Sequence, residues 1–159
     1  MVASQDEEAD PPLLALVRRV LESEGFLCHR LPGLTVLSTS VSVDDLSWSV
    51  FARTLEAEQE VAIYSSSPVE VAPERRQAMS ELVTRANFGL VIGNFELDLA
   101  DGELRFKTSI DVEGDRLSEA LVRNLVFANL AVTRRYLPAV LAVSRFGADP
   151  AAAVAEVES

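Results

Sequence analysis

The sequence predicts an α+β fold, an antiparallel five-stranded sheet with three helices in the order α-β-β-β-α-β-β-α. Three observations carry this expectation. Apolar residues between positions 13 and 21 recur at helical spacing. Residues 26–67 are rich in Val, Thr and Ser and show no helical period. Residues 93–114 alternate apolar and polar side chains around an Asp-Gly pair.

The first helix is expected to start at Asp10 as N-cap, with Pro11 at the first helical position, where no amide donor is needed. Leu13, Leu14, Val17, Val20 and Leu21 form its apolar face, and Gly25 ends it. "LTVLSTSVSV", "LSWSVFART" and "QEVAIYSS" then read as three strands, with breaks at Asp44-Asp45 and around 56–58. Pro73 opens a second helix, with Met79, Leu82, Val83 and Ala86 on one face, closed by Asn87-Phe88-Gly89. A third helix runs from near Arg116, with Asp115 as a candidate N-cap, toward Phe146. Pro138 removes the amide that would bond to the carbonyl of Arg134, which predicts a kink or break there. Residues 1–9 read as an acidic tail, 10–147 as one domain, and 148–159 as a tail or short helix.

"GNFELDLADGELRFKTSIDVEG" is the most patterned stretch of the chain. With Asp101-Gly102 as a two-residue turn, Leu99 faces Leu104, Leu97 faces Phe106 and Phe95 faces Thr108. The other face then pairs Asp98 with Arg105 and Glu96 with Lys107, each pair contributing ~0.2–1 kcal/mol relative to alanine pairs. Its acids are spaced three apart in "DLADGE", which fails the alternating acids and central glycine of a calcium loop. The reading is a solvated hairpin.

Composition narrows function. Fourteen basic against 25 acidic residues leave a net charge of −11, which repels phosphate backbones and anionic lipid surfaces. The single cysteine, Cys28, permits no intrachain disulfide and fits a cytoplasmic setting. The acidic N-terminus lacks the pattern of a secretory signal, and arginines 123, 134 and 135 interrupt the most apolar region, so no membrane span is expected. His29, the only histidine, neighbours Cys28 on an expected strand, so the two side chains point to opposite faces. No nucleophile elbow, phosphate loop or four-ligand zinc set is present, and no cofactor is implied.

Two features point to a protein partner. Eighteen of the 27 residues from 117 to 143 are apolar, on nearly all sides of the third helix. Such a helix is buried on most sides, by this chain or by a partner such as a dimer mate. In the middle strands, Phe51 and Tyr64 fall opposite the face of Trp48, Val50 and Ile63. The candidate partner or dimer surface is therefore Trp48, Phe51, Tyr64, Phe127, Leu130, Tyr136 and Leu137.

The hairpin segment, preceded by Asn87-Phe88-Gly89 and followed by "NLAVTRRYLPAVLAV", resembles the YbjN domain family of bacterial proteins. The resemblance rests on Gly93, Phe95, Glu96 and Asp98, on Asp101, Gly102, Glu103, Arg105, Phe106 and Lys107, and on Tyr136 and Pro138. Arg134-Arg135 departs from the acid expected ahead of Tyr136. The resemblance implies a fold similar to type III secretion chaperones, a loosely described role in sensory-transduction regulation, and no catalytic residue. Gly93, Phe95, Asp101, Gly102, Phe106 and Pro138 are implied to be structural.

The reading is a cytoplasmic, non-enzymatic protein-interaction module, a regulator or chaperone-like adaptor that binds a protein partner and forms a homodimer, without nucleic acid or membrane. The alternative is a small-molecule or metal sensor, or an enzyme, with an acid-lined pocket drawn from Asp44, Asp45 and Asp111.

Overall fold

In the computed structural model, which describes residues 8–159, the elements run α1 (Pro12–Ser23), β1 (His29–Arg30), β2 (Val36–Val43), β3 (Leu46–Leu55), β4 (Glu60–Ser66), a 3₁₀ turn (Pro73–Arg75), α2 (Arg76–Asn87), β5 (Asn94–Leu97), β6 (Leu104–Asp111), α3 (Glu119–Phe146) and α4 (Pro150–Glu158). The six strands are antiparallel and ordered β1-β2-β3-β4-β6-β5. The class is as the sequence predicts. The counts differ by one strand, the two-residue β1, and by one helix, α4.

The middle strands bury alternate residues, as a sheet covered on one face must. Leu37, Val41, Trp48, Val50, Ala52, Val61, Ile63, Leu104 and Phe106 point into the helical layer, whose cores are the apolar stripes of α1, α2 and α3. α3 lies against β4, β6 and all three other helices. It is long and apolar enough to cross a membrane, yet here its large apolar side chains other than Phe127 and Phe146 are buried or half-buried within the fold. Ten of its residues are buried, and the solvent stripe is Asn124, Phe127, Ala131, Arg134 and Pro138. The helix runs through Pro138 without a break. Pro138 and Arg134 both lie on the solvent stripe, so water satisfies the carbonyl that the missing amide frees.

Two helix starts correct the sequence reading. α1 begins one residue later than expected and Asp10 does not cap it; its carboxylate instead pairs with Arg18 and Arg30. The amides of Leu13 and Leu14 donate to the two oxygens of Glu56, both at 3.1 Å, from the loop between β3 and β4. A carboxylate there satisfies two orphan donors and complements the helix dipole. α3 is capped by Ser118, whose Oγ accepts from the amide of Leu121, not by Asp115.

The hairpin register is shifted by two residues from the expected one. Phe95 faces Phe106, Glu96 faces Arg105 and Leu97 faces Leu104. Leu99 sits in a four-residue loop and is exposed. A shift of two keeps every side chain on its predicted face, whereas a shift of one would have inverted them all. The loop opens because its tip has other partners. The Gly102 amide donates to the Asp98 carbonyl and its carbonyl accepts from the Val71 amide, both at 2.8 Å, and a Cβ on Gly102 would lie 2.1 Å from the Val71 oxygen. Arg76 donates to the carbonyls of Leu99 and Ala100 at 3.1 and 3.2 Å.

A buried polar network fixes α3 to the sheet. Asn129, fully buried, accepts from Ser65 Oγ at 2.5 Å and donates to the carbonyls of Ile63 at 2.8 Å and Phe106 at 3.2 Å. Ser65 accepts from the Trp48 indole at 3.0 Å, and Thr108 Oγ1 donates to the carbonyl of Leu125 at 2.9 Å. Each side chain of this network thereby has a partner, which low-polarity surroundings demand.

Candidate functional site

The face of the sheet turned away from the helices has no layer over it among the described residues. Its composition follows from the alternation that fills the core. One cross-strand row reads His29, Ser38, Phe51, Tyr64, Lys107 and Asn94. The next reads Ser40, Ser49, Ser66, Arg105 and Glu96, and on the other side lie Arg53, Ala62 and Ser109. Phe51 and Tyr64 are therefore neighbours at the middle of a surface otherwise made of serines and charges.

Charge is unevenly placed there. Arg53, Arg105 and Lys107 surround the two rings; Glu96 and Glu103 lie against Arg105 and Lys107, and Glu60 and Asp111 close the groove beyond Arg53 and Tyr64. The Arg105 guanidinium lies 4.4 Å from the centroid of Tyr64, a cation–π contact. Glu96 accepts from Arg105 at 2.7 Å and from Lys107. Burial alone would push the Glu96 carboxyl up, but the hydrogen bonds from Lys107 and Arg105 outweigh it and hold the group below the ordinary glutamate range. Asp98, expected to pair with Arg105, instead caps the loop by accepting from the amide of Ala100 at 2.8 Å. Beside Phe51, a shallow groove of about 460 Å³ is lined by Phe26, Leu27, His29, Ser38, Ser40 and Ser49.

The other residues of the expected surface are distributed as follows. Trp48, Tyr136 and Leu137 are buried in the core and offer nothing to a partner. Trp48 is committed to Ser65, and Tyr136 stacks edge-on against Phe95 with centroids 5.6 Å apart. Leu130 is half-buried and Phe127 is 44% exposed, on a different side of the molecule from Phe51 and Tyr64. Leu137 and the Tyr136 ring face the sheet beside Phe95, and α4 closes over the rest of that end of α3: Arg135 donates to the carbonyl of Val157 at 3.0 Å, and the Tyr136 hydroxyl donates to Glu158 at 2.5 Å.

The acids proposed for a pocket do not converge. Asp44 and Asp45 form the β2–β3 turn, where Asp44 pairs with Arg134 at 2.8 Å. Asp111 faces Glu60 at the opposite end of the strands, about 30 Å away at the rise of a β-strand over the length of β3. No metal-sized group of three Asp, Glu, His or Cys side chains occurs among the described residues. His29, the first residue of β1, is exposed, and Cys28, just before it, is buried, so the two side chains lie apart as expected. Burial pushes the Cys28 thiol up, so it is protonated at neutral pH.

Five of the six motif residues make close contacts within the fold, while Pro138 is exposed on α3. Phe95 and Phe106 meet edge-on with centroids 4.8 Å apart. Asp101 Oδ1 accepts from the amide of Glu103 at 2.8 Å. Gly93 has φ +80°, and a Cβ there would lie 2.6 Å from the carbonyl of Lys107. Asn87, last in α2, does what a further strand would do: its Oδ1 accepts from the Phe95 amide at 2.7 Å and its Nδ2 donates to the Phe95 carbonyl at 3.2 Å. The sequence reading used Asn87 only as a helix end. It also missed Asn129, although a lone asparagine inside "VFANLAV" is the kind of polar interruption that signals a buried network.

A six-stranded antiparallel sheet with helices on one face and an open polar face with an aromatic centre defines a small two-layer α+β fold. The chain belongs to the YbjN family, whose description reads "Putative bacterial sensory transduction regulator", and which it matches over residues 13–142. Among solved structures it is similar to the YbjN protein of E. coli, described as "a putative transcription regulator", with 14% identity and a TM-score of 0.57 over 78% of this chain and 89% of that one. It is also similar to a chain in the ExsC–ExsE complex, at 15% identity and a TM-score of 0.46, over 79% of this chain and 90% of that one. No curated protein matches the sequence.

Proposed function

We propose that this protein is a non-enzymatic, cytoplasmic regulator or adaptor that holds a segment of another protein on the open face of its sheet. The observation that carries the reading is the Phe51–Tyr64 pair, set among Arg53, Arg105 and Lys107 on the uncovered face. Aromatic and arginine side chains are the usual anchors of protein interfaces. Arg105 and Lys107 are paired with Glu96 and Glu103, while Arg53 is in no ion pair among the described residues; that base beside the rings favours a segment carrying an acid and an apolar side chain to set against the rings. The family description as a regulator agrees with such a role. The overall negative charge favours regulation through protein contacts over contact with a phosphate backbone. The reading includes a homodimer built on Phe127 and Leu130, the part of the expected α3 surface that stays accessible.

Affinity capture from native cells, comparing the unaltered chain with the Phe51→Ala/Tyr64→Ala variant, tests the docking face. At least one acidic protein should co-purify with the unaltered chain and fall at least tenfold with the variant. Equal recovery with both chains, or no protein above background, refutes the reading. Light scattering tests the dimer separately: a monomer at micromolar concentration removes that part alone.

A further inference from the structure

α4 differs from the other helices in how it is held. It lies across α2 and α3, beyond the family-matched segment. It buries only Pro150, Ala153 and Val154, whereas α1 buries three leucines and two valines. Its polar fastenings are at the rim, where Arg135 and Glu158 are exposed to water. It joins α3 through three residues, Gly147 to Asp149. Gly147 is in the left-handed region at φ +63°, and the Arg75 guanidinium occupies the space a Cβ would take. A short helix with small buried side chains on a glycine-led connection belongs to the low-stability end of a fold, and such elements open locally before the core does.

We propose that the groove between α2 and α3 is a second docking site, occupied in cis by α4, which accepts in its place a partner helix of the same chemistry. That chemistry is legible in α4 itself. Asp149 caps the helix by accepting from the Ala152 amide at 2.9 Å, Pro150 opens it, Ala153 and Val154 enter the groove, and Glu158 takes the Tyr136 hydroxyl. The partner is thus a short helix of pattern Asp-Pro-x-x-Ala-Val-x-x-x-Glu. Small residues let the helix approach closely, and the terminal carboxylate finds a donor that is otherwise buried with Tyr136. α4 competes from a tether of three residues, so a free helix meets an effective concentration of about millimolar. Its apparent affinity for the closed chain falls by the fraction of time the groove is vacant. This site is separate from the open sheet face, and neither reading depends on the other.

The probe is a labelled peptide with the sequence of residues 148–159, titrated against the full chain by fluorescence anisotropy. The Val154→Asp variant, which places a charge at α4's buried position, should bind the peptide at least tenfold tighter than the unaltered chain. Adding Tyr136→Phe to that variant should weaken the binding severalfold. Absence of binding to Val154→Asp with the amides of α3 still protected overturns the proposal, as does equal binding to the unaltered chain. Hydrogen exchange on the unaltered chain gives an independent reading should the variant fail to fold. The amides of α4 should exchange at least tenfold faster than those of α3 around Asn129, and equal protection of the two helices overturns the proposal.

Discussion

Asn129→Ala isolates the link that holds α3 on the sheet. The asparagine is fully buried and its amide makes its best bonds with Ser65 Oγ at 2.5 Å and the carbonyl of Ile63 at 2.8 Å, with the carbonyl of Phe106 at 3.2 Å as a third. Losing the two best bonds costs about 1 kcal/mol each. The truncated side chain leaves a void among groups that still need partners, adding a further ~1 kcal/mol. A total of about 3 kcal/mol corresponds to a fall in Tm of roughly 6–12 °C for a chain of this size. Urea unfolding followed by tryptophan fluorescence suits the test, because Trp48 is in the same network through Ser65. The midpoint should move with the slope unchanged. Ser65→Ala combined with Asn129→Ala should cost less than the sum of the two, since both remove the same bond. A loss below about 1 kcal/mol for Asn129→Ala, or strict additivity in the pair, would refute the view that this network holds the layers together.

Glu56→Gln keeps the size of the side chain but removes its charge and one acceptor facing Leu13 and Leu14. It should cost about 1–2 kcal/mol in urea unfolding, and an unchanged midpoint would dismiss the cap. Gly102→Ala puts a Cβ 2.1 Å from the Val71 oxygen in a left-handed residue, so a loss of roughly 2–4 kcal/mol is expected in thermal unfolding; a loss within experimental error would mean that the loop relaxes freely. For pH, the depressed Glu96 carboxyl stabilises the fold above its unfolded value of 4.5, and this contribution is lost as pH falls through the lower folded value. Lys107→Met should therefore flatten the acid limb of the stability curve, and an unaltered limb would place the acid sensitivity elsewhere. The Tyr136 hydroxyl is pushed up to about 12, by burial first and by its bond to Glu158 next. Its stabilisation is complete below pH 10 and is lost between pH 10 and 12, so Tyr136→Phe should make unfolding less steep with pH over that window.

The parts of the fold legible in the sequence were those governed by short periods. Alternation assigned Phe51 and Tyr64 to one face and Val50 and Ile63 to the other. The same alternation places Trp48 with the core, so its inclusion among surface candidates ran against the pattern. α3 gave no such direction, because a helix apolar on nearly all sides does not say which side faces what; Tyr136 and Leu137 therefore fell inward unannounced. The Asp-Gly turn misled by two residues because the backbone of Gly102 answers to Val71, and Arg76 holds the carbonyls beside it. Neither constraint is local. Asp10 had the sequence of a cap but was claimed by Arg18 and Arg30, while the actual cap came from 42 and 43 residues away. Residues 148–159 read as either a tail or a short helix because "PAAAVAEVE" has almost no amphipathic contrast, and the burial of α4 depends on a groove built by other helices.

The cap on α1 bears on the order in which this protein assembles. α1 cannot complete its opening turn from its own residues, since the amides of Leu13 and Leu14 find their oxygens 43 and 42 positions later. Closing so long a loop is an entropic debt that a local cap would avoid. The opening turn of α1 and the β3–β4 turn are thus one unit: the amides of Leu13 and Leu14 have these acceptors only when the β3–β4 turn is in place.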